Sequence, residues 1–282
     1  MNKNSKIAVF GANGFLGSSF CNYLSRENKE FLAISRKANN INNYKNYLSL
    51  DLIEDNPWTN SFINELYQYK TVIFFSGIAH KKRIDPYEEN LKIFNNFKKN
   101  FISNFKDTHT LIFISTLDVR YLKKNSDNFS YFPISYAKSK KESEKVLIRE
   151  FKNFKILRLP FIFSFDDKKD LYKRISINFF KYKLFFRIFP SPIYELLEIN
   201  KLNQILLNSI NSDFSKKIIN VYDKSSQFSL LRNESRFYFP VPRFVIYILM
   251  KAMQAFPTDF SKSRSLNLDK LINYTTVKED EF

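Results

Sequence analysis

A tyrosine followed four residues later by a lysine is the pattern in this sequence with the clearest chemical use. Tyr136 and Lys140 begin a segment with helical periodicity, so both side chains project from one face of the helix. Hydride transfer from a carbinol, or to the carbonyl that it forms, needs a proton acceptor or donor beside the reacting oxygen. A lysine ammonium lowers the pKa of a neighbouring tyrosine, so that the tyrosine can transfer this proton. We therefore interpret Tyr136 as the proton-transferring group.

Context distinguishes this pair from others of the same spacing. The same spacing occurs at two other places, Tyr247/Lys251 and Tyr274/Lys278. Only Tyr136 follows, after a loop, an apolar strand that ends in two hydroxyl residues, Ser115 and Thr116. The carboxyl ends of strands are where an open parallel sheet binds its ligands. Ser115, Thr116, Tyr136 and Lys140 are therefore the predicted catalytic residues.

A glycine-rich loop predicts a dinucleotide site. The chain has four glycines, and three of them fall within the seven residues Gly-Ala-Asn-Gly-Phe-Leu-Gly, directly after the apolar run Ile7 to Phe10. Such a loop lets the backbone turn tightly and approach a pyrophosphate at a helix N-terminus. The residues predicted to contact the cofactor here are Gly11, Asn13, Gly14, Phe15, Leu16 and Gly17. The fourth glycine, Gly77, closes a later strand that ends at Ser76, and a second close approach of the backbone to the cofactor is expected at these two residues.

The end of the second predicted strand favours NADP over NAD. An acidic residue at this point would bind the ribose hydroxyls of NAD. The chain instead has Ser35, Arg36 and Lys37, which are donors suited to a 2′-phosphate. We predict NADP as the cofactor and Arg36 as a contact, with NAD as the alternative.

Alternating strands and helices must position these residues. Apolar runs predict strands at Ile7 to Phe10, Phe31 to Ser35, Thr71 to Ser76, Leu111 to Ser115 and Phe154 to Leu159. Helical periodicity covers Phe15 to Arg26, Tyr87 to Phe105 and Ser135 to Phe151. This order predicts an α/β fold with a Rossmann-type, doubly wound parallel sheet.

The second half is expected to form a smaller substrate lobe. We predict a nucleotide-binding domain over residues 1–163 and a substrate-binding lobe over 164–282. Within the lobe the pattern indicates a helix at Ile199 to Ile210, a strand at Ile218 to Tyr222 and a helix near Arg243 to Phe256.

These motifs together resemble the extended short-chain dehydrogenase/reductases of the NAD-dependent epimerase/dehydratase family. The resemblance rests on Gly-x-x-Gly-x-x-Gly, on Ser-Thr, on Ser-Tyr-Ala-Lys-Ser-Lys and on Leu-Arg-Leu-Pro, and it covers roughly Lys6 to Phe163. It implies that Tyr136 is the acid/base, that Lys140 also holds the nicotinamide ribose, and that Thr116 shares the reacting oxygen of the substrate.

The resemblance implies further site residues. Asp51 and Leu52 look like the pair at the adenine, and Pro160 and Ile162 look like the segment against the nicotinamide. Ser76, Gly77 and the residues up to His80 resemble a segment of bacterial enzymes that reduce 4-keto sugars, so His80 is a candidate substrate contact. Asn90 matches an asparagine of the family, although solvent exposure is the competing interpretation.

The function implied is reduction of a 4-keto group on a UDP- or dTDP-linked sugar, for surface polysaccharide biosynthesis. The alternative is a 4-epimerase of the UDP-glucose or UDP-N-acetylglucosamine type with retained NAD. A non-catalytic dinucleotide-binding protein is the remote alternative, and an intact set of Thr116, Tyr136 and Lys140 argues against it.

Composition narrows the partners. The net charge of +17 comes without a nucleic-acid-binding motif, so we predict no nucleic-acid partner. One cysteine excludes a disulfide within the chain and a cysteine-based zinc site; we predict no metal and a cytoplasmic protein. The aromatic segment from Arg243 to Phe256 suits peripheral contact with an anionic membrane, packed core or a homodimer contact.

Overall fold

The structure is a computed structural model that describes most of the chain. The residues described are 6–78, 86–105, 107–125, 134–164, 184–189, 193–211, 217–223, 226–227 and 237–255. The chain divides into two compact units, the first formed by Met1–Leu159 with Ile199–Val221 and the second by Pro160–Glu198 with Tyr222–Phe282.

A seven-stranded parallel sheet forms the first unit. Its strands are β1 (Ile7–Phe10), β2 (Phe31–Ser35), β3 (Tyr47–Ser49), β4 (Thr71–Phe74), β5 (Thr110–Thr116), β6 (Phe154–Leu159) and β11 (Ile218–Asn220). Their order across the sheet is β11-β6-β5-β4-β1-β2-β3, and each neighbouring pair is parallel. The order reverses between β1 and β4, which is where open α/β sheets bind nucleotides. The predicted Rossmann-type fold is therefore confirmed.

Helices connect these strands. They are α1 (Phe15–Arg26), α2 (Asn60–Tyr67), α3 (Pro86–Phe105), α4 (Asp118–Asn125), α5 (Ile134–Glu150) and α6 (Ile199–Asn211). Local chemistry sets several ends: the Thr59 hydroxyl accepts a hydrogen bond from Phe62 N at 3.2 Å and caps α2. Pro86 begins α3, and Glu88 and Glu89 lie in its first turn, where they complement the helix dipole.

Aromatic rings fill the core on one side of the sheet. Phe10 of β1 and Phe74 of β4 both contact Phe97 of α3, with ring centroids 5.0 Å and 4.4 Å apart, respectively. Trp58 stacks on Phe10 at 5.9 Å. Phe10, Phe74 and Phe97 are all fully buried. Their burial anchors the first and fourth strands, whose carboxyl ends carry Gly11 and Ser76.

One segment that the sequence assigns to the second half packs with the first unit. Helix α6 lies against α1, where Asn203 Nδ2 donates to Ser19 Oγ at 3.0 Å. Strand β11 extends the sheet by pairing with β6. The apolar residues of α6, including Leu202 and Leu206, are buried there. The domain boundary at residue 163 stays a prediction, and these contacts show that the chain returns to the first unit after it.

The second unit contains short paired strands and one helix. Its strands are β7 (Phe161–Phe163), β8 (Leu184–Phe189), β9 (Ile193–Tyr194), β10 (Leu196–Glu198), β12 (Ser226–Gln227) and β13 (Phe237–Pro242). They form the pairs β7–β10 and β8–β13, which are parallel, and β9–β12, which is antiparallel. Helix α7 (Arg243–Ala255) follows β13. Within the described residues, no helix has both the length and the apolar character needed to cross a membrane.

Candidate active site

The loop between β1 and α1 is shaped by two glycines. Gly11 has φ +85°, and its N–H and that of Ala12 both donate to Ile34 O, at 2.9 and 3.1 Å. A Cβ at Gly11 would lie 3.0 Å from Ser76 N, so the loop approaches the end of β4 too closely for a side chain. At Gly17 a Cβ would lie 2.2 Å from Gly11 O. Both positions therefore require glycine to hold this turn.

The N-terminus of α1 opens toward space that fits a pyrophosphate. Gly14 is the residue before the helix and provides no side-chain cap to the first amides. Within 4 Å, a Cβ at Gly14 would meet only Gly11 O, at 3.2 Å. An uncapped helix N-terminus with room in front of it binds anions through backbone amides and the helix dipole. This geometry supports the loop as a dinucleotide site, and the contacts of its residues with a cofactor stay a prediction.

A polar network joins the glycine-rich loop to the end of β2. Asn13 Nδ2 donates to Tyr47 Oη at 3.3 Å, and Asn42 Nδ2 donates to Asn13 Oδ1 at the same distance. The Tyr47 hydroxyl in turn donates to Lys37 O. Arg36 is exposed at this edge, and the sequence from 31 to 50 contains no acidic residue. The edge therefore presents cations and neutral groups to a ligand.

Asp51 and Leu52 follow β3 at the same edge of the sheet. Asp51 Oδ1 accepts a hydrogen bond from Ile53 N at 2.9 Å, and Asn96 Nδ2 donates to Leu52 O at 3.0 Å. The Leu52 side chain is part of the hydrophobic core. A contact between Leu52 and an adenine would therefore have to use backbone atoms, while the Asp51 side chain is only partly buried.

Lys140 lies buried at the carboxyl end of β4. The residue is 4% exposed, and its Nζ lies 4.7 Å from the centroid of the Phe113 ring and 5.7 Å from that of Tyr136. A Cβ at Gly77 would lie 3.5 Å from Nζ. Burial lowers the pKa of Lys140 to about 8, and the Glu144 carboxylate acts in the opposite direction. The structure thus brings Tyr136, Lys140 and Gly77 together.

The structure alters the expected electrostatics of Tyr136. Burial, with a contribution from the Asp118 carboxylate, raises the pKa of Tyr136 above its ordinary value. The expected lowering of this pKa by Lys140 was wrong in direction, because desolvation of the phenol outweighs the effect of the lysine. Thr116, at the end of β5, is partly buried, and its Oγ1 accepts a hydrogen bond from Asp118 N at 3.2 Å.

Asn90 is buried and does not face solvent. Its Oδ1 accepts from Ile78 N at 2.7 Å, and its Nδ2 donates to Ile78 O at 3.1 Å. This pair of bonds attaches α3 to the segment after Gly77. A Cβ at Gly77 would lie 3.3 Å from Asn90 Oδ1, so Asn90 also borders the surroundings of Lys140.

A buried ionic cluster behind Lys140 was not expected from the sequence. Arg158 of β6 makes a two-pronged ion pair with Glu144 of α5, with Nη2 to Oε2 at 2.6 Å and Nε to Oε1 at 3.0 Å. Ser115 Oγ donates to Glu144 Oε1 at 2.5 Å. The Ser115 hydroxyl is thus bound to Glu144, whereas its catalytic role stays a prediction. The spacing Tyr136, Lys140, Glu144 is the sequence signal that could have revealed this cluster.

Three further site residues stay predictions. His80 lies outside the described residues. Pro160 and Ile162 lie just before and within β7, in the second unit, where Ile162 is buried. Their predicted contact with the nicotinamide remains a prediction.

Comparison with known proteins finds a family similarity in the first part of the chain. Residues 7–120 match the NAD dependent epimerase/dehydratase family, which is about two fifths of the sequence. The matched region holds the glycine-rich loop, Arg36, Gly77 and Thr116, and it ends before Tyr136. No curated protein matches the chain.

Solved structures share the fold at low sequence identity. UDP-N-acetylglucosamine 4-epimerase from Bacillus cereus has a TM-score of 0.61 and 16% identity, over 84% of this chain and 86% of that one. The UDP-glucose 4-epimerase of Thermus thermophilus, in complex with NAD, has a TM-score of 0.58 and 15% identity, over 84% and 86%. L-threonine dehydrogenase from Phytophthora infestans has a TM-score of 0.59 and 12% identity, over 84% and 85%. Solved proteins of similar fold therefore act on more than one kind of substrate.

Proposed function

We propose that this protein is an NADPH-dependent reductase of a nucleotide 4-keto sugar and a member of the epimerase/dehydratase family. The observation that carries the proposal is the position of Lys140 Nζ, which lies beside both Gly77 and the ring of Tyr136. This juxtaposition puts a proton donor and its cationic partner at the carboxyl edge of the sheet, next to the glycine-rich loop.

The side chains of the site suit the reductive direction. When bound, NADPH supplies a hydride to the carbonyl carbon. The Tyr136 phenol then gives its proton to the carbonyl oxygen, which becomes the hydroxyl of the product. A raised pKa of Tyr136 keeps that proton in place until it is needed. The Thr116 hydroxyl donates a hydrogen bond to the same oxygen, and the Lys140 ammonium stabilises the tyrosinate that forms.

The preference for NADP is supported by the charges at the end of β2. Arg36 is exposed beside the Asn13–Tyr47 link, and no acidic residue between 31 and 50 competes for a ribose hydroxyl. A 2′-phosphate placed there gains charge-assisted hydrogen bonds, while NAD gains none of the carboxylate contacts typical of NAD enzymes.

A 4-epimerase with retained NAD is the second candidate. The solved structures of similar fold include two sugar-nucleotide 4-epimerases, one of them in complex with NAD. The same Tyr136 and Lys140 serve either reaction, because both include proton transfer at the C4 oxygen. The candidates differ in whether the hydride is consumed or returned.

The single cysteine of the chain bears on its location. We place the protein in the cytoplasm, since a chain with one buried cysteine suits a reducing compartment.

Helix α7 exposes Phe244, Ile248 and Leu249 at 64%, 60% and 52%, and it has no acidic residue. We propose that this face contacts an anionic membrane surface; a homodimer contact is the competing occupant.

An assay with nucleotide sugars tests the function. Purified protein is mixed with NADPH and a panel of UDP- and dTDP-linked 4-keto sugars, and the absorbance of the reduced nicotinamide is followed. A reductase consumes one NADPH for each sugar reduced. An epimerase interconverts UDP-glucose and UDP-galactose, or their N-acetylated forms, with no net loss of NADPH. Absence of both reactions across the panel contradicts the proposal.

A further inference from the structure

The cluster of Glu144, Arg158 and Ser115 lies behind the catalytic pair and has no part in the mechanism above. Glu144 and Arg158 form an ion pair in which both side chains are buried, at 3% and 9% exposure. Removing two charges from water is costly, and well-packed apolar residues in place of such a pair are often as stable or more stable, so stability alone is a weak reason for it. Lys140, one helical turn before Glu144, indicates a functional reason.

Glu144 lies four residues after Lys140 on α5, so the two side chains share one face of the helix. Lys140 is the buried cation at the site, and Glu144 is the carboxylate that acts on it electrostatically. Two groups orient the carboxylate: the Arg158 guanidinium from β6 and the Ser115 hydroxyl from β5. From α3, the neutral Asn90 borders Lys140, while Asp118 of α4 acts on Tyr136.

We propose that Glu144 is a positioning residue, whose carboxylate, held by Arg158 and Ser115, keeps the Lys140 side chain charged beside Tyr136. The inference rests on the proposed function, because it assigns to Lys140 the role of stabilising the tyrosinate. Without this carboxylate, burial alone would favour the neutral amine, and a neutral amine cannot stabilise a phenolate. Arg158 is needed because its two-pronged grip prevents Glu144 from turning away from the lysine.

The charge of Lys140 is measurable without substrate or cofactor. In protein labelled with [ε-¹³C]lysine, the Lys140 resonance is assigned by its loss in Lys140→Arg and is followed by NMR as the pH changes. We expect a midpoint near pH 8 in the wild type. Glu144→Gln should lower this midpoint by about one pH unit or more, which is a tenfold change in the ratio of neutral to charged lysine. Glu142→Gln, which removes an exposed carboxylate from the same helix, should leave it unchanged.

A second variant separates positioning from stability. Glu144→Gln alone leaves Arg158 buried without a counter-charge and risks unfolding, so Glu144→Gln/Arg158→Gln is titrated as well, with folding checked by circular dichroism. The midpoint of folded Glu144→Gln decides, or that of the double variant where the single variant does not fold: a lowered midpoint supports the proposal, and a wild-type midpoint overturns it. Since no sugar is present, this outcome is independent of whether the enzyme reduces 4-keto sugars.

Discussion

Arg36 is the residue on which the proposed preference for NADP depends. We expect wild-type protein to bind NADPH more tightly than NADH, and Arg36→Ala to remove most of that preference. A charge-assisted hydrogen bond contributes about 1.5–3 kcal/mol, which corresponds to roughly tenfold to a hundredfold in affinity. Fluorescence titration with both cofactors measures the ratio, and Arg26→Ala, at the far end of α1, is the control. Equal affinities of the wild type for NADPH and NADH would favour the epimerase over the reductase.

His109 makes stability depend on pH. The residue is 2% exposed, and burial, with the nearby Lys70, lowers the pKa of His109 to about 4. In the unfolded chain, the His109 imidazole takes up a proton near pH 6.5. Between pH 6.5 and 4 the unfolded chain therefore binds more protons than the folded chain. Stability is therefore complete above pH 6.5 and falls as the pH decreases through that window. The loss attributable to His109 reaches about 3 kcal/mol at pH 4.

Urea unfolding of wild type and His109→Phe across this range measures the effect. A phenylalanine suits the aromatic surroundings, where Phe105 lies 4.7 Å from the His109 ring. The variant should lose less stability between pH 6.5 and 4, whereas the two proteins should show parallel behaviour above pH 7. Identical losses in the two proteins would show that His109 is not the group responsible.

Residue chemistry was visible in the sequence where it is local. Tyr136 and Lys140 are four apart, and the structure places them together. Glu144 continues the same spacing, but its partners Arg158 and Ser115 come from two strands, and only the sheet order brings them to α5. The raised pKa of Tyr136 was not foreseen either, because it depends on how deeply the fold buries the phenol.

At the scale of the element, the start of α1 gives two glycines different roles. Gly14 has φ −77°, which any residue can adopt, and a Cβ there would point into the proposed pyrophosphate site. Gly14→Val should therefore weaken NADPH binding at least about tenfold, by occupying that space, with little change in melting temperature. Gly17→Ala places a Cβ 2.2 Å from Gly11 O and should destabilise the fold by about 1–3 kcal/mol.

Cofactor titration and thermal melting of both variants test this division. A Gly14→Val protein that binds NADPH as the wild type does would show that the pyrophosphate lies elsewhere. A Gly17→Ala protein as stable as the wild type would show that the turn can relax.

Most elements with strong burial patterns were predictable. Strands β1, β2 and β6 have the predicted bounds because most of their side chains are apolar and buried. Strand β3 has three partly exposed residues and no such pattern, and α2 and α4 have only eight residues each. For α2, Thr59 before Phe62 and Leu66 was a capping signal that could have found it.

For the whole molecule, the net charge of +17 makes the membrane proposal sensitive to salt. We expect the protein to pellet with anionic vesicles more than with neutral ones at low salt, and the difference to fade as the screening length shortens. Ile248→Glu, on the exposed face of α7, should reduce pelleting, because it puts a negative charge where the lipid would lie. Equal pelleting with both vesicle types would contradict membrane contact and favour a homodimer contact at that face.

The proposed function requires that Tyr136 transfers the proton in an NADPH-dependent reaction. Two tyrosine-to-phenylalanine variants test this requirement. Tyr136→Phe and Tyr247→Phe remove the same atom from two tyrosines, each with a lysine four residues later and Nζ 5.7 Å or 5.6 Å from the ring. With a reactive 4-keto sugar from the panel, Tyr136→Phe should reduce turnover at least about a hundredfold while NADPH still binds, because only the proton donor is lost. Tyr247→Phe should match the wild type. Turnover by Tyr136→Phe within tenfold of the wild type would show that Tyr136 does not transfer the proton.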